Sequence, residues 1–111
     1  MMASSDLAWA AEALLARYRS APAVETEAGI ALLALWALDA VEAGRLPPVE
    51  ADAVFTMLDV EISEAKDGPE LSETADQLLF EGMLFHDWGT PYAAEPDLVR
   101  RLAFGILGAP A

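Results

Sequence analysis

The sequence predicts an all-α protein, a compact bundle of four to five helices with a hydrophobic central helix at about residues 22–43. Residues 28–38, inside that helix, carry no charged side chain. No segment alternates with the two-residue period of a strand, and no hairpin turn signal is present. Breaks rich in glycine and proline divide the chain into helix-sized pieces with short connections, which is typical of helical bundles.

The first predicted helix starts after Ser5, a residue type that commonly caps helix N-termini. Asp6 lies in its first turn, where the helix dipole favours an anion. Trp9 points away from the predicted inner face, and Pro22 ends this segment and starts the next. The inner face consists of Leu7, Ala11, Leu14, Leu15 and Tyr18.

The second helix covers residues 22–43 and ends at Gly44, a residue that suits the position after a helix. A helical wheel gives it two apolar faces, and we expect both to need cover. The bulky face holds Leu32, Leu35 and Trp36, whereas the small-residue face holds Ala34, Ala37 and Val41.

Three further helices follow. The third covers residues 49–65, and Phe55 and Leu58 point inward. The fourth, capped by Ser72, runs to about residue 87, while the fifth covers residues 96–107 after a proline at its first position. The fifth helix is expected to bury Leu98, Leu102 and Ile106. Together the 111 residues have the length of one helical domain, residues 1–111.

The chain is strongly acidic, with 19 acidic and 6 basic residues and a net charge of −13. The basic residues are scattered, and nucleic-acid binding depends on neutralising phosphates, so direct binding to nucleic acid is excluded. An anionic membrane surface is disfavoured for the same reason. A basic protein remains a compatible partner.

No cysteine is present, which excludes disulfides, thiol catalysis and cysteine-based zinc sites. No signal peptide is visible at the N-terminus. The uncharged run of 11 residues, 28–38, is shorter than the about 20 residues that a membrane span needs. We therefore expect a soluble cytoplasmic protein that uses no cofactor.

More apolar side chains are present than a bundle of this size encloses. Because a large exposed apolar patch usually marks an interface, we expect a homodimer. The contact is expected on the small-residue face of the second helix or on the outer face of the fourth. The candidate interface residues are Ala34, Ala37, Val41, Phe80, Leu84 and Trp88.

Polar and aromatic residues gather near the end of the fourth helix, a pattern that fits two alternatives: aromatics that anchor the following loop onto the bundle, or a small pocket. Its candidate residues are Asp39, His86, Trp88 and Tyr92. Asp39 is expected to pair with Arg17, Arg45 or an arginine of the last helix, because an unpaired buried carboxylate is costly. His86, the only histidine, is expected to bond a backbone carbonyl or a nearby acid.

Acids recur at a spacing of three in two successive helices: Glu61 and Glu64, then Glu73 and Asp76. This resembles the acidic motif of MazG-like nucleotide pyrophosphohydrolases, which are small all-α oligomeric enzymes. The resemblance implies that the four acids hold Mg²⁺, for which carboxylate oxygens are suitable ligands. The gap between the two pairs is shorter than that family usually has, and only Lys66 is close by as a cation.

The sequence thus favours a non-enzymatic, self-associating helical protein that acts as a protein-interaction module. One alternative is an acidic partner of a basic protein, such as an immunity protein, an antitoxin or a nucleic-acid mimic. The other is the Mg²⁺-dependent nucleotide hydrolase that the acidic motif implies.

Overall fold

The computed structural model describes residues 4–65 and 67–108, which form five α-helices and no strand. The predicted all-α fold is confirmed. A 3₁₀ turn, Leu84–Asp87, continues the fourth helix. None of the described helices is long and apolar enough to cross a membrane. The helices are α1 (Ser4–Tyr18), α2 (Ala23–Glu42), α3 (Pro48–Glu64), α4 (Glu73–Met83) and α5 (Pro96–Leu107).

Several helix ends follow the local signals in the sequence. Gly44, just beyond α2, has a φ of 73°, which glycine adopts without steric cost. Ser72 caps α4, because its Oγ accepts a bond of 3.2 Å from the Ala75 N–H. The Ser72 Oγ and N–H also donate to the two carboxylate oxygens of Glu27, at 2.9 and 3.0 Å. The start of α4 is therefore fastened to α2.

Two helix ends differ from the prediction. α1 begins at Ser4, so Ser5 lies inside its first turn rather than before it. α4 stops at Met83, and the chain tightens into the 3₁₀ turn instead of remaining α-helical to residue 87. Such turns are frequent at helix C-termini.

α2 occupies the centre of the fold and packs against all four other helices. Its small-residue face is the buried one, with Ala34 at 1% and Ala37 at 0% exposure. On the bulky face, Leu32 is 58% exposed and Trp36 is 41% exposed. The chain's own helices therefore cover the small-residue face and leave much of the bulky face exposed. Small side chains such as those of Ala34 and Ala37 allow neighbouring helices to approach closely, which suits a helix at the centre of the fold.

The buried stripe of α5 is shifted by one residue from the predicted one. Val99 and Ala103 are fully buried, whereas Leu98, Leu102 and Ile106 are only partly buried. α5 makes its most extensive contact with α2. Smaller side chains suit the centre of this close contact, and the longer ones lie along its margins.

α3 and α4 meet where the Phe55 ring lies against Gly82. Both residues are buried, and a Cβ added to Gly82 would overlap the Phe55 ring. The ring centroids of Phe55 and Phe85 are 6.1 Å apart, so the aromatic contact continues into the 3₁₀ turn. The absence of a side chain at residue 82 thus sets the distance between these helices.

We expect Gly82→Ala to lower the free energy of unfolding by about 1–3 kcal/mol, because the added methyl group overpacks the core. Gly105→Ala is the matched control, since Gly105 is an exposed helical glycine with nothing near the added Cβ. That change should raise stability by about 0.5–1 kcal/mol. Urea unfolding followed by circular dichroism measures both. Equal effects of the two substitutions would contradict the proposed packing.

Candidate functional site

An apolar groove of about 440 Å³ runs between α1 and α2. Its α1 side includes Ala10 and Ala13, and its α2 side includes Gly29. A Cβ added to Gly29 would lie 2.7 Å from Leu14 Cδ1, so the two helices pack closely here. These small residues leave space above the helix contact, and the groove opens on the outer side.

Two large apolar side chains of α2, Leu32 and Trp36, also line the groove. They are one helical turn apart and substantially exposed, as described above. On α1, Trp9 is 72% exposed, and the groove residue Ala13 follows it by one turn on the same side of the helix. Trp9 therefore lies next to a groove residue on the surface of α1, although it does not line the groove itself.

An ion pair marks one end of the groove. Arg17 Nη2 lies 2.7 Å from Glu25 Oε1, and both side chains are well exposed. Exposed pairs of this kind contribute about 0–1 kcal/mol, so this one adds little to stability. The pair does, however, engage Arg17, which is the only cation among the residues that line the groove.

Acidic residues flank the exposed Trp9 and Trp36 along their helices, and Glu25 lies in the groove lining. Asp6 and Glu12 lie three residues before and after Trp9, and Asp39 lies three residues after Trp36. Residues three apart on a helix are neighbours on its surface. We call this set the acidic border: Asp6, Glu12, Glu25 and Asp39.

His86 is the centre of a separate polar cluster. Its Nδ1 lies 2.7 Å from the Met83 carbonyl oxygen, which confirms the predicted bond to a backbone carbonyl. The same nitrogen is 3.6 Å from an Asp52 oxygen, and Nε2 is 3.2 Å from an Asp87 oxygen. Asp87 therefore reaches the ring although it follows directly in sequence. Asp52, on α3, is a partner that sequence reasoning missed.

This arrangement favours the charged imidazolium form of His86. Carbonyl and carboxylate oxygens accept hydrogen bonds, so both ring nitrogens are placed to donate. The pKa of His86 is raised above its ordinary value of 6.5, first by the bond to Met83 and then by the charges of Asp87 and Asp52, while partial desolvation opposes the shift. The cluster links α3 to the 3₁₀ turn.

The predicted pocket residues do not all share one site. Asp39 is exposed on α2, so its carboxylate bears no burial cost, and two of the expected arginine partners bind other acids: Arg17 binds Glu25 and Arg100 binds Glu42. Trp88 packs on Phe85 with ring centroids 5.9 Å apart. Tyr92 is 77% exposed. His86 contacts Met83, Asp52 and Asp87, none of which belongs to the predicted pocket.

The predicted interface residues fall into two groups. Ala34, Ala37 and Val41 are buried in the chain's own core, so in this conformation they present almost no surface to a second copy. On the other side, Phe80 is 55% exposed. Leu84 and Trp88 are partly buried and pack against the core.

The four acids of the Mg²⁺ motif form no metal-binding group. Among the described residues, no three acidic or histidine side chains are placed to hold a metal ion. Glu61 and Glu64 lie exposed on α3, and Lys66 lies outside the described residues. Partial desolvation and the charges of Asp59, Glu27, Glu70 and Glu73 raise the pKa of Asp76, which indicates crowding of carboxylates at that end of α4.

We expect the imidazole of His86 to titrate with a midpoint above 6.5, because its partners favour the charged form. Asp52→Asn should move that midpoint downward, whereas Asp67→Asn, which removes an acid paired with Arg19, should not. Two-dimensional NMR of the single histidine measures the midpoint. A value at or below 6.5 in the unmodified protein would refute the described contacts.

The same shift links His86 to stability. A raised pKa in the folded state means that protonation stabilises the fold at pH values below 6.5, and this stabilisation is lost as the pH rises through the folded midpoint. We expect the free energy of unfolding to decline across that interval. In His86→Gln the decline should disappear, as urea unfolding at closely spaced pH values would show. If the free energy of unfolding declines equally in that variant, the decline belongs to another titrating group.

Comparisons of this chain with protein-family models, with curated proteins and with solved structures found no match. The function of the chain is therefore inferred from the geometry and chemistry of its own residues. Of the sites described, the α1–α2 groove combines a concave shape with exposed apolar side chains. It is the candidate functional site.

Proposed function

We propose that this chain is a non-enzymatic protein-interaction module that binds an apolar helical segment of another protein in the α1–α2 groove. The observation that carries the proposal is a concave apolar surface with Leu32 and Trp36 exposed beside it. Amphipathic helices commonly dock into apolar grooves by inserting residues three or four apart. The groove thus has the form of a helix-docking site.

The energetics of exposure support this function. Burying a leucine- or phenylalanine-sized side chain contributes about 1.5–3 kcal/mol, and Leu32 forgoes much of that in water. Tryptophan is among the residue types that most often dominate binding energy. The polar lining residues are Arg17, Glu25 and the buried Thr26, and the first two pair with each other. Such a lining favours binding over chemistry.

The proposal predicts binding of a neutral amphipathic peptide with a leucine stripe and glutamines elsewhere. In ¹H–¹⁵N spectra, the amide signals of Gly29 and Leu32 and the indole signal of Trp36 should shift. Trp36→Ala should weaken binding about tenfold, equivalent to about 1.4 kcal/mol. Val60→Ala, which truncates another exposed apolar residue, should leave binding unchanged. Shifts scattered over the whole surface, or none, would contradict the function.

Self-association is the second candidate function, and the exposure of Phe80 on α4 favours it. In a twofold-symmetric dimer the same patch of both copies meets, so one exposed aromatic residue supplies two to the contact. The charge of −13 on each copy opposes association. Salt screens exposed charges, so a dimer formed through Phe80 should strengthen as salt is added.

Sedimentation velocity at tens of micromolar protein tests this second candidate. We expect a dimer whose population increases with NaCl and which Phe80→Asp converts to monomer. Tyr92→Asp, at another exposed aromatic residue, adds the same charge and should leave the dimer intact. A monomer at every salt concentration would end the self-association proposal and leave the proposed function of the groove unaffected.

A further inference from the structure

We infer that the segment bound in the α1–α2 groove is a cationic amphipathic helix, whose apolar side chains enter the groove and whose lysines or arginines meet the acidic border. This inference rests on the proposed function and adds the chemistry of the partner. Its basis is the charge around the groove, which the apolar lining alone does not specify.

Of the four carboxylates in the acidic border, Glu25 is paired with Arg17, the one cation of the groove lining, so border and lining together carry an excess of negative charge. A bound segment with basic flanks would therefore meet mostly carboxylates. Charges of opposite sign across an interface select partners and accelerate their encounter, whereas like charges disfavour them.

The two exposed tryptophans add a second attraction for cations. Trp9 and Trp36 each have acids three residues away, so a cationic side chain can lie over an indole ring and still meet a carboxylate. Lysine and arginine are attracted to indole faces within about 6 Å of the ring centroid. This combination accepts basic side chains better than neutral polar ones.

A second copy of the chain does not suit this surface. Two grooves facing each other would bring two acidic borders together, eight acids in all, and each copy carries a net charge of −13. Like charges placed opposite each other at an interface disfavour association. The surface therefore favours a partner of opposite charge.

Three helical peptides with the same leucine stripe test the inference, with lysine, glutamine or glutamate at all other positions. We expect isothermal titration at low salt to rank them lysine, glutamine, glutamate, with about tenfold tighter binding of the lysine peptide than of the glutamine peptide. Between 50 and 300 mM NaCl, the affinity of the lysine peptide should fall several-fold, while that of the glutamine peptide changes little.

Variants at the border separate local recognition from general attraction to an acidic protein. Asp39→Asn and Glu12→Gln should weaken binding of the lysine peptide alone, whereas Trp36→Ala should weaken both the lysine and glutamine peptides. Glu64→Gln removes an equal charge from exposed α3 and should have no effect on either.

The outcomes are distinct for the function and for the partner. Equal binding of the lysine and glutamine peptides, or an equal loss from Glu64→Gln and Asp39→Asn, would overturn the cationic partner and leave the groove function intact. Failure of all three peptides to bind would overturn the function itself. A preference for the lysine peptide that depends on both Trp36 and Asp39 supports the groove function and the cationic partner together.

Discussion

The close packing of α2 against the other four helices is the constraint on which the rest of the structure depends. Its small-residue face, including Ala34 and Ala37, lies in the core, and every other helix packs against this one element. Interior packing is dense, so the smallest side chains allow the nearest approach. Once that face is buried, the bulky residues Leu32 and Trp36 must lie toward the outside. The exposed groove is thus a consequence of how the core is built.

Much of the fold could be predicted from the sequence because helix signals are local. Gly44 and Ser72 mark real helix boundaries, and the apolar spacing in α1 places Leu7 and Ala11 in the core. The buried face of α2 could not be predicted, since a helical wheel ranks residues by hydropathy and both faces are apolar. The choice depends on how each face fits the neighbouring helices, which one helix by itself does not specify.

The candidate sites show the same limit. The wheel placed Leu32 and Trp36 together on one apolar face of the second helix and Trp9 outside the inner face of the first, and this is the part of the groove that one helix at a time can reveal. The floor depends on Gly29 facing α1, a pairing between two helices. The His86 cluster likewise includes Asp52, which is distant in sequence and reaches the ring only because α3 packs against the 3₁₀ turn.

The acidic surface has different consequences in different places. At the start of α4, partial desolvation and then crowded carboxylates raise the pKa of Asp76, so stability is lost as the pH rises through the interval above 3.8 in which that group ionises. Around His86 the acids instead favour the protonated imidazole, a cation that the chain itself supplies.

Beside the groove, acids flank Trp9 and Trp36, and the one cation of the groove lining, Arg17, is paired with Glu25. A cationic partner would relieve repulsion there while covering apolar surface. Because such a ligand binds the folded state, it would also raise the stability of the whole chain.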